Sequence, residues 1–407
     1  MISRTERQKQ GIGKWIKSGG RGTLVYATGV GKTRCAAMAI QLLLKSKPDA
    51  RIRIIVPTTV LKNQWIDDYI NPLNLSNNCV VEVINSAIMH ESSCDLLVLD
   101  EVHSYASDTF YNVFECITYS MILCLTATLE RLDGKEILIK KHAPVCDIIT
   151  IQEAEDNGWV SHFKNYLVLL DVDLTKYKEL DQKFNAYFSF FNWDYNAAMT
   201  ALSDWRFRNS YAKQLGVSPK DVIAASADWM RCLQQRKQFI MSHPHKAEVC
   251  KKILNARSDK KCITFSATIK EAKDLGVGYV LHSKQSKKTN DAIIKKFNSD
   301  SCGVLCSSKA CDVGVDIKGL SVGVIMSIDS SKIRKSQRIG RVIRFEPNKE
   351  AEMFTLVIRG TQEVKWFANS NTTDVIVIDE SQLDDVLAGK PIESRKHNLI
   401  ADTKFRF

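Results

Sequence analysis

Residues 27–33 have the sequence ATGVGKT and lie between a short apolar run and a helix-forming run. The two glycines let the backbone curl so that its N–H groups can face a phosphate. The lysine can reach the β- and γ-phosphates of a nucleotide, and the hydroxyl of the last threonine can bind Mg²⁺. A strand, a glycine-rich loop and a helix in this order predict a phosphate-binding loop. Its predicted nucleotide contacts are Thr28, Gly29, Val30, Gly31, Lys32 and Thr33.

Three further apolar runs in the first part of the chain also end in polar clusters. Residues 52–56 precede PTT, residues 95–99 precede DEVH, and residues 121–125 precede TAT. Apolar runs without alternation are typical of strands that are buried on both faces of a parallel sheet. Ligands bind beyond the carboxyl ends of such strands. The four clusters therefore predict one composite site.

The DEVH segment supplies two carboxylates to this composite site. Asp100 can hold Mg²⁺ through water, and Glu101 can orient or deprotonate an attacking water molecule. Acidic pairs are common on protein surfaces, so the prediction depends on finding this pair together with ATGVGKT in one α/β domain.

A second α/β domain is predicted from later apolar runs at residues 261–265, 303–306, 321–326 and 353–358. Residues 176–255, between the two domains, are rich in helix formers and aromatic side chains and predict a helical connector. The predicted fold class is therefore α/β, with two parallel-sheet domains and a helical insertion between them.

A basic segment follows the third of these later runs. Residues 331–344 contain six Lys or Arg and no Asp or Glu. Arginines three residues apart share one face of a helix. Arg341 and Arg344, with Gln337, could stabilise negative charge developing on a γ-phosphate. The alternative is a solvated basic helix.

The composition favours a polyanionic partner. The chain has 57 Lys and Arg against 46 Asp and Glu, a net charge of +11, which fits nucleic acid first and an anionic membrane second. No apolar run reaches the roughly 18 residues of a membrane span, and the amino terminus lacks the apolar core of a secretion signal. We expect a cytoplasmic protein with no membrane partner. The 12 cysteines include no C-x-x-C pair, which favours reduced core cysteines over a zinc site.

The ordered motifs resemble those of the superfamily 2 helicases and translocases. They are ATGVGKT, PTTVLKNQW, DEVH, LTATLERLDG, FSAT, CDVGVDI and QRIGRVIR, over roughly residues 1–360. The LERLDG run resembles that of the branch that contains the XPB-type and phage UvsW-type DNA helicases. If a phage or virus encodes the chain, the expected location of the protein is the cytoplasm of the host. The resemblance implies two RecA-like domains and the use of ATP and Mg²⁺. The implied domains are an ATP-binding domain at 1–165, a helical connector at 166–250, a second RecA-like domain at 251–388 and a tail at 389–407.

The resemblance also implies roles for residues in and near the first-domain motifs. Gln8 resembles the glutamine that recognises adenine. The TAT segment, from Thr126 to Thr128, resembles the element that couples hydrolysis to motion. His103 resembles the residue that contacts the last motif, at Gln337.

Three positions depart from or modify the family pattern. Tyr26 replaces the usual first glycine of the phosphate-binding loop. Gly314 and Asp316 match a motif that contacts the ribose, but Val313 and Lys318 replace its usual acidic residue and proline.

By the same resemblance, nucleic acid lies across both domains and is held mainly by its phosphates. Such contacts carry little sequence information, so binding should be sequence-tolerant and salt-dependent. PTTVLKNQW, LTAT and DEVH differ from the PTRE, SAT and DEAD forms of the RNA-helicase branch, which favours DNA. The implied contacts are Thr58, Lys62, Ser266, Lys284, Ser308 and Lys309.

Residues 184–195 contain seven aromatic side chains. Five of them would share one face of a helix, which predicts core packing. Phe190 and Trp193 fall outside that stripe and could stack on bases or wedge a duplex junction, although local packing is the favoured alternative. The five in the stripe are Phe184, Tyr187, Phe188, Phe191 and Tyr195.

Together these features predict a monomeric, ATP-dependent DNA helicase acting on forked or branched DNA in repair, recombination or replication. The resemblance implies movement in the 3′ to 5′ direction. The alternatives are a double-stranded DNA translocase that does not separate strands, an RNA helicase, and a binding module built on an inactive motor. The presence of Lys32, Glu101 and Arg341 argues against the last.

Overall fold

The computed structural model describes residues 2–106, 109–129, 134–308, 317–328, 350–368 and 375–392. The chain divides into two compact units. The first comprises residues 1–165, 257–324 and 331–354, and the second comprises residues 166–256, 325–330 and 355–407. No helix in the described ranges is both long and apolar enough to cross a bilayer.

Six strands form the first sheet: β1 (Arg21–Tyr26), β2 (Ile52–Val56), β3 (Cys79–Val83), β4 (Ser92–Leu99), β5 (Ile117–Thr126) and β6 (Val145–Ile149). Their order is β3-β2-β4-β5-β1-β6, and each neighbouring pair is parallel. The apolar runs before ATGVGKT, PTT, DEVH and TAT are β1, β2, β4 and β5, as predicted. The strands not predicted, β3 and β6, lie at the sheet edges, where exposed positions interrupt the apolar pattern.

In the part of this region that the structure describes, seven helices accompany the sheet: α1 (Arg4–Lys17), α2 (Lys32–Ser46), α3 (Thr59–Trp65), α4 (Ile84–Ala87), α5 (Val113–Cys116), α6 (Glu136–His142) and α7 (Ile151–Asp156). Ser3 and Glu6 form a capping box that fixes the start of α1, which satisfies N–H groups that have no partner inside the helix. A π-helical turn, Ile66–Ile70, follows α3, and 3₁₀ turns occupy Val102–Tyr105 and Phe110–Asn112.

Both faces of the first sheet are buried. Alternate residues of β4 pack in two different apolar clusters: Leu96 and Val98 in one, Leu97 and Leu99 in the other. Successive side chains of a strand point to opposite faces, so each face of the sheet has its own core. This explains the continuous apolar runs in the sequence.

Five helices lie between Thr175 and Ala256, where the sequence predicts a helical connector: α8 (Thr175–Ser189), α9 (Tyr195–Ser203), α10 (Trp205–Leu215), α11 (Pro219–Met241) and α12 (Pro244–Ala256). They follow β7 (Phe163–Leu170), which belongs to the second sheet. The domain boundaries proposed from the sequence stay a prediction.

The second sheet has seven strands in the order β13-β7-β12-β11-β8-β10-β9. The remaining strands are β8 (Lys261–Ser266), β9 (Tyr279–His282), β10 (Gly303–Ser308), β11 (Leu320–Ile325), β12 (Ala351–Ile358) and β13 (Val375–Asp379). In the described ranges, the helices after α12 are α13 (Ile269–Asp274), α14 (Lys287–Ser299), α15 (Gln362–Ala368) and α16 (Leu383–Leu387), with a 3₁₀ turn at Glu380–Gln382. The four runs predicted as strands are β8, β10, β11 and β12. The two parallel-sheet domains thus have the predicted fold class.

The aromatic segment does not form the single helical stripe expected from its spacing. Helix α8 ends at Ser189, and Asn192 and Trp193 adopt left-handed backbone conformations with φ of 49° and 62°. Phe191 is fully buried, but Tyr195, on the next helix, is 54% exposed. The prediction of a single helix is wrong because the chain turns inside the segment. The predicted core packing is confirmed for four of the five side chains, since Phe191 belongs to a buried apolar cluster and Phe184, Tyr187 and Phe188 pack against it.

Candidate active site

The ATGVGKT segment forms a tight loop between β1 and α2. Gly29 and Gly31 have φ of 90° and 93°, a left-handed region that favours glycine. A Cβ atom on Gly31 would lie 2.6 Å from Nε2 of Gln8. The loop therefore needs glycine both for its backbone conformation and for its contact with α1.

Gln8 is the residue of α1 that touches this loop. Its side chain is fully buried, and Nε2 donates a hydrogen bond of 2.7 Å to the carbonyl of Val30. Among the described residues, its Oε1 has no hydrogen-bond partner. Leaving a buried acceptor unpaired costs free energy, so this oxygen is suited to accept a hydrogen bond from a ligand. The amino group of adenine would donate such a bond.

A buried ionic network holds Tyr26, the last residue of β1 before the loop. The Tyr26 hydroxyl donates to Oδ2 of Asp147 at 2.6 Å, and the cations of Arg7 and Lys14 also bind this carboxylate. Burial opposes ionisation of Asp147, but these three hydrogen bonds outweigh it and hold the pKa of the carboxyl below its usual value. Tyr26, which replaces the family's glycine, thus ties β1 to β6.

Lys32 and the DEVH carboxylates lie at the ends of β1 and β4. Nζ of Lys32 is 3.4 Å from the carbonyl oxygen of Tyr26, a weak contact that leaves the ammonium able to bind a phosphate. Asp100 accepts hydrogen bonds from Nε1 of Trp65 at 2.8 Å and from the Glu101 backbone N–H at 3.0 Å. Burial, together with the neighbouring Glu101, raises the pKa of Asp100 to about 6. A bound cation would oppose this shift.

Glu101 is held in an uncommon conformation. Its φ is 50°, which few residues other than glycine adopt. Its Oε2 is buried without a hydrogen bond among the described residues and lies 3.4 Å from Nδ1 of His103. The same Nδ1 is 3.0 Å from Oγ1 of Thr126. The DEVH and TAT segments are therefore in direct contact.

The predicted nucleic-acid contacts fall at strand ends and helix starts. Thr58 caps α3 by accepting a bond from the Leu61 backbone N–H, and Lys62 is half-buried one turn later. In the second sheet, Ser266 and Ser308 end β8 and β10 and are paired in register. Lys284 is exposed just after β9.

Six candidate residues cannot be placed relative to these groups. Lys309, Gly314, Asp316, Gln337, Arg341 and Arg344 lie outside the described residues. Their roles stay predictions from the sequence.

Four residues that sequence analysis did not single out belong to these sites. Trp65 and Asp147 position other polar groups, and Arg7 binds Asp147. His282 lies opposite Ser308 in register, and its Nδ1 is buried without a partner in the described part of the chain. Arg7 adjoins Gln8, and Trp65 ends the quoted PTTVLKNQW motif, so both had a signal in the sequence. Asp147 and His282 had none, because Asp147 lies inside β6 and His282 ends β9, two strands that the sequence did not predict.

The groups at the ends of β1 and β4 fit a magnesium nucleotide. A glycine loop at a helix start offers backbone N–H groups to phosphate, Lys32 offers a cation, and Thr33 and Asp100 offer oxygen ligands. Within the described residues, no group of three His, Cys, Asp or Glu side chains forms a metal site by itself. The oxygens of a phosphate and water would have to complete the coordination.

Two family models match parts of the chain. Residues 245–346 match the helicase conserved C-terminal domain, and residues 2–91 match the type III restriction enzyme, res subunit.

One similar protein covers most of the chain, and another covers about a third of it. The DNA 3′-5′ translocase XPB2 of Sulfurisphaera tokodaii is 24% identical over 386 residues, which is 89% of this chain and 83% of that protein. The "Putative ATP-dependent RNA helicase QP509L" of African swine fever virus is 32% identical over 153 residues, 32% of this chain and 29% of that protein.

Among solved structures, the Pyrococcus furiosus Hef helicase domain has a TM-score of 0.55 at 15% identity, over 91% of this chain and 100% of that one. S. cerevisiae Dbp5 bound to RNA and ADP BeF3 has a TM-score of 0.58 at 14% identity, over 94% of this chain and 91% of that one. At such identities the two structures show the fold alone, which is that of RecA-like helicases.

Proposed function

Because the chain is an XPB-like member of the superfamily 2 helicases, we propose that it is an ATP-dependent DNA motor. It couples hydrolysis of magnesium ATP to 3′ to 5′ movement on forked or branched DNA and separates or branch-migrates the strands. The relative named a DNA 3′-5′ translocase supports the choice of DNA and the direction. We place this activity in DNA repair, recombination or replication, carried out by a cytoplasmic monomer.

One observation carries the proposal that the nucleotide is ATP. Gln8 Nε2 is bound to the phosphate-loop carbonyl of Val30, while its Oε1 is buried without a partner among the described residues. A glutamine fixed in this way presents one acceptor beside a loop shaped for phosphates, which suits an adenine base at one end of a nucleotide.

The chain's own groups have separate proposed tasks. Lys32 binds the β- and γ-phosphates, and Glu101 orients or deprotonates the attacking water. Trp65 holds the Asp100 carboxylate in place through a 2.8 Å hydrogen bond. Thr33 and, through water, Asp100 would hold Mg²⁺, which would neutralise charge on the phosphates.

The second domain contributes cations and ribose contacts in this proposal. Gln337, Arg341 and Arg344 bind the γ-phosphate, and Gly314 and Asp316 contact the ribose. These assignments rest on the motifs QRIGRVIR and CDVGVDI, since the residues lie outside the described ranges. We further propose that the two RecA-like domains are residues 1–165 and 251–388, joined by the connector at 166–250, with a tail at 389–407.

DNA is held by loop residues at strand ends in this proposal. Ser266 and Ser308 are adjacent in register, and His282 lies beside Ser308. With Thr58, Lys62, Lys284 and Lys309, they would bind phosphates rather than base edges, so recognition would follow the shape of the DNA.

Steady-state ATPase measurements test the proposal. Rates are compared with linear duplex, single-stranded, forked and four-way DNA and with RNA at matched nucleotide concentration, and Glu101→Gln is the blank. Strongest stimulation by forked or four-way DNA, followed by strand displacement, supports a branched-DNA helicase.

Other outcomes assign the chain differently. Equal stimulation by plain duplex without strand displacement favours a double-stranded DNA translocase. Stimulation by RNA alone moves the chain to the RNA helicases, the activity named for the viral relative. Hydrolysis retained by Glu101→Gln removes Glu101 from its proposed role.

A further inference from the structure

An apolar groove lies between α1, α2 and the segment that contains Leu73 and Leu75, away from the ends of the strands that carry the nucleotide site. Its volume is about 640 Å³, within the range of about 300–1,000 Å³ typical of binding pockets. Ile16 and Leu42 line it and are 53% and 47% exposed. We call it the α1/α2 groove.

The exposed apolar side chains of this groove have no role in the proposed ATP hydrolysis. Gln8 and Lys32 stand near the starts of α1 and α2, whereas the groove is lined by later residues of the same helices, such as Ile16 and Lys45. Contiguous exposed apolar side chains with a polar border mark interaction sites on soluble proteins.

Gly13 keeps the groove open. It lies inside α1, where glycine costs about 1 kcal/mol relative to alanine. An added Cβ would meet no atom within 4 Å, and the backbone conformation does not require glycine. Neither tight packing nor backbone geometry therefore explains this glycine. Its effect is to leave room for another backbone to approach the helix closely.

Lysines give the groove a positive border. Lys9 and Lys45 are both exposed and line it, and no Asp or Glu does. Neither lysine forms an ion pair within the described residues. Acidic side chains would therefore complement this border, and basic ones would be repelled.

Charge also argues against two occupants from this chain. Residues 393–407 contain four Lys or Arg and two Asp or Glu, the wrong sign for this border. A second copy of the chain would bring the same lysines and the same net charge of +11.

We propose that the α1/α2 groove docks an amphipathic helix of a partner protein. Leucine-like side chains at positions i, i+3 or i+4, and i+7 would fill the space between Ile16 and Leu42. Aspartate or glutamate residues flanking that stripe would pair with Lys9 and Lys45. The site is independent of the proposed motor activity.

Two synthetic probes test the proposal on the full chain. Both are fluorescein-labelled amphipathic helices with the same leucine stripe; one carries glutamate beside the stripe and the other lysine. In fluorescence anisotropy, the glutamate probe should bind saturably and the lysine probe about tenfold more weakly or not at all.

Variants locate the binding. Gly13→Leu, which fills the groove, and the double change Lys9→Glu with Lys45→Glu should each weaken the glutamate probe at least about tenfold. The charge-reversed chain should then prefer the lysine probe. Lys237→Glu, an exposed change on α11, is the matched control, and Gly13→Ala shows that a side chain at this position leaves α1 folded.

Several results would overturn the proposal. The proposal is wrong if the glutamate probe does not bind saturably or if both probes bind equally well. It is also wrong if the Gly13→Leu variant binds the glutamate probe as tightly as the original chain. Tighter binding of a synthetic 393–407 peptide would assign the groove to the chain's own tail. A dimer in sedimentation velocity that Gly13→Leu dissociates would assign it to a second copy.

Discussion

At the scale of single residues, the amide of Gln8 faces two ways. Nε2 is committed to Val30, and Oε1 has no partner among the described residues. Because one N–H of Nε2 is bound to the Val30 carbonyl, the orientation of the amide is fixed and Oε1 is left as an acceptor for a base. That chemistry distinguishes the amino group of adenine from the carbonyl of guanine at the same ring position.

Gln8→Ala should therefore raise the KM for ATP about tenfold and abolish the preference for ATP over GTP, with a smaller effect on kcat. Steady-state kinetics with both nucleotides measures this. Gln10→Ala, an exposed glutamine on the same helix, is the control. An unchanged ATP-to-GTP ratio in Gln8→Ala would remove Gln8 from base recognition.

The residues predicted from sequence are those whose chemistry is local. Lys32, Asp100 and Glu101 follow directly on apolar strands, so strand position and residue type were enough to identify them. Trp65 and Asp147 act through partners that are distant in sequence: Asp100 is 35 residues from Trp65, and Arg7 is 140 residues from Asp147. Such contacts depend on tertiary packing, which no local pattern encodes.

At the scale of elements, most strands buried on both faces were predicted, and short or outer strands were not. Strand β7 is an exception, because it lies inside the second sheet with six of its eight residues buried and was not predicted. Strand β9 has only four residues, Tyr279–His282, and β6 contains the buried Asp147, which breaks its apolar run. The prediction of a single helix for the aromatic segment was wrong for a different reason. Spacing alone does not show that α8 ends at Ser189, because the left-handed turn at Asn192 and Trp193 contains no glycine.

That turn carries an exposed indole whose role can be separated from packing. Trp193 is 53% exposed and contacts Phe188 edge to face, and Phe188 stacks on the buried Trp229. If Trp193 stacks on bases, Trp193→Ala should slow strand displacement several-fold while leaving thermal stability nearly unchanged. Phe188→Ala, which removes part of the packed cluster, should lower Tm clearly. Unwinding at the original rate by Trp193→Ala would leave packing as the role of this side chain.

The start of α12 is expected to respond to pH. His245 lies between two carboxylates, with Nδ1 2.9 Å from Glu248 and Nε2 2.7 Å from Glu380. The hydrogen bond to Glu248, with that to Glu380, outweighs burial and raises the pKa of His245. His243 is also part of this site, because its Nδ1 accepts a hydrogen bond from the His245 backbone N–H. Burial, together with the charges of His245 and Lys246, lowers the pKa of His243.

Because the pKa of His245 is higher in the folded chain, its stabilising effect is complete below the unfolded value of about 6.5. It is lost as the pH rises through the folded value. His245→Gln should therefore lower Tm more at about pH 6 than at about pH 8.5. Thermal scans at both pH values measure this, with His90→Gln, an exposed histidine, as control. An equal loss at both pH values would show that packing, not charge, stabilises this contact.

At the scale of the whole molecule, the chain has 57 basic and 46 acidic residues, a net charge of +11. This charge favours binding to DNA, with an affinity that falls as the salt concentration rises. The three candidate lysines, Lys62, Lys284 and Lys309, predict a slope of about −3 for log K against log salt on duplex DNA. Lys62→Ala and Lys284→Ala should each reduce the slope by about 1. Titrations at several salt concentrations measure this, with Lys237→Ala as control. Equal slopes in all variants would place the phosphate contacts elsewhere.

At Glu101, thermal stability and catalytic activity favour different residues. A φ of 50° costs a residue of this kind on the order of 1 kcal/mol, and asparagine tolerates that region better. Glu101→Asn should thus survive heating better than the original chain while hydrolysing no ATP. A library of variants at this position, ranked only by how much protein remains folded after heating, would be expected to enrich inactive molecules. Thermal screening for improved versions of this motor would therefore need an activity step at every round.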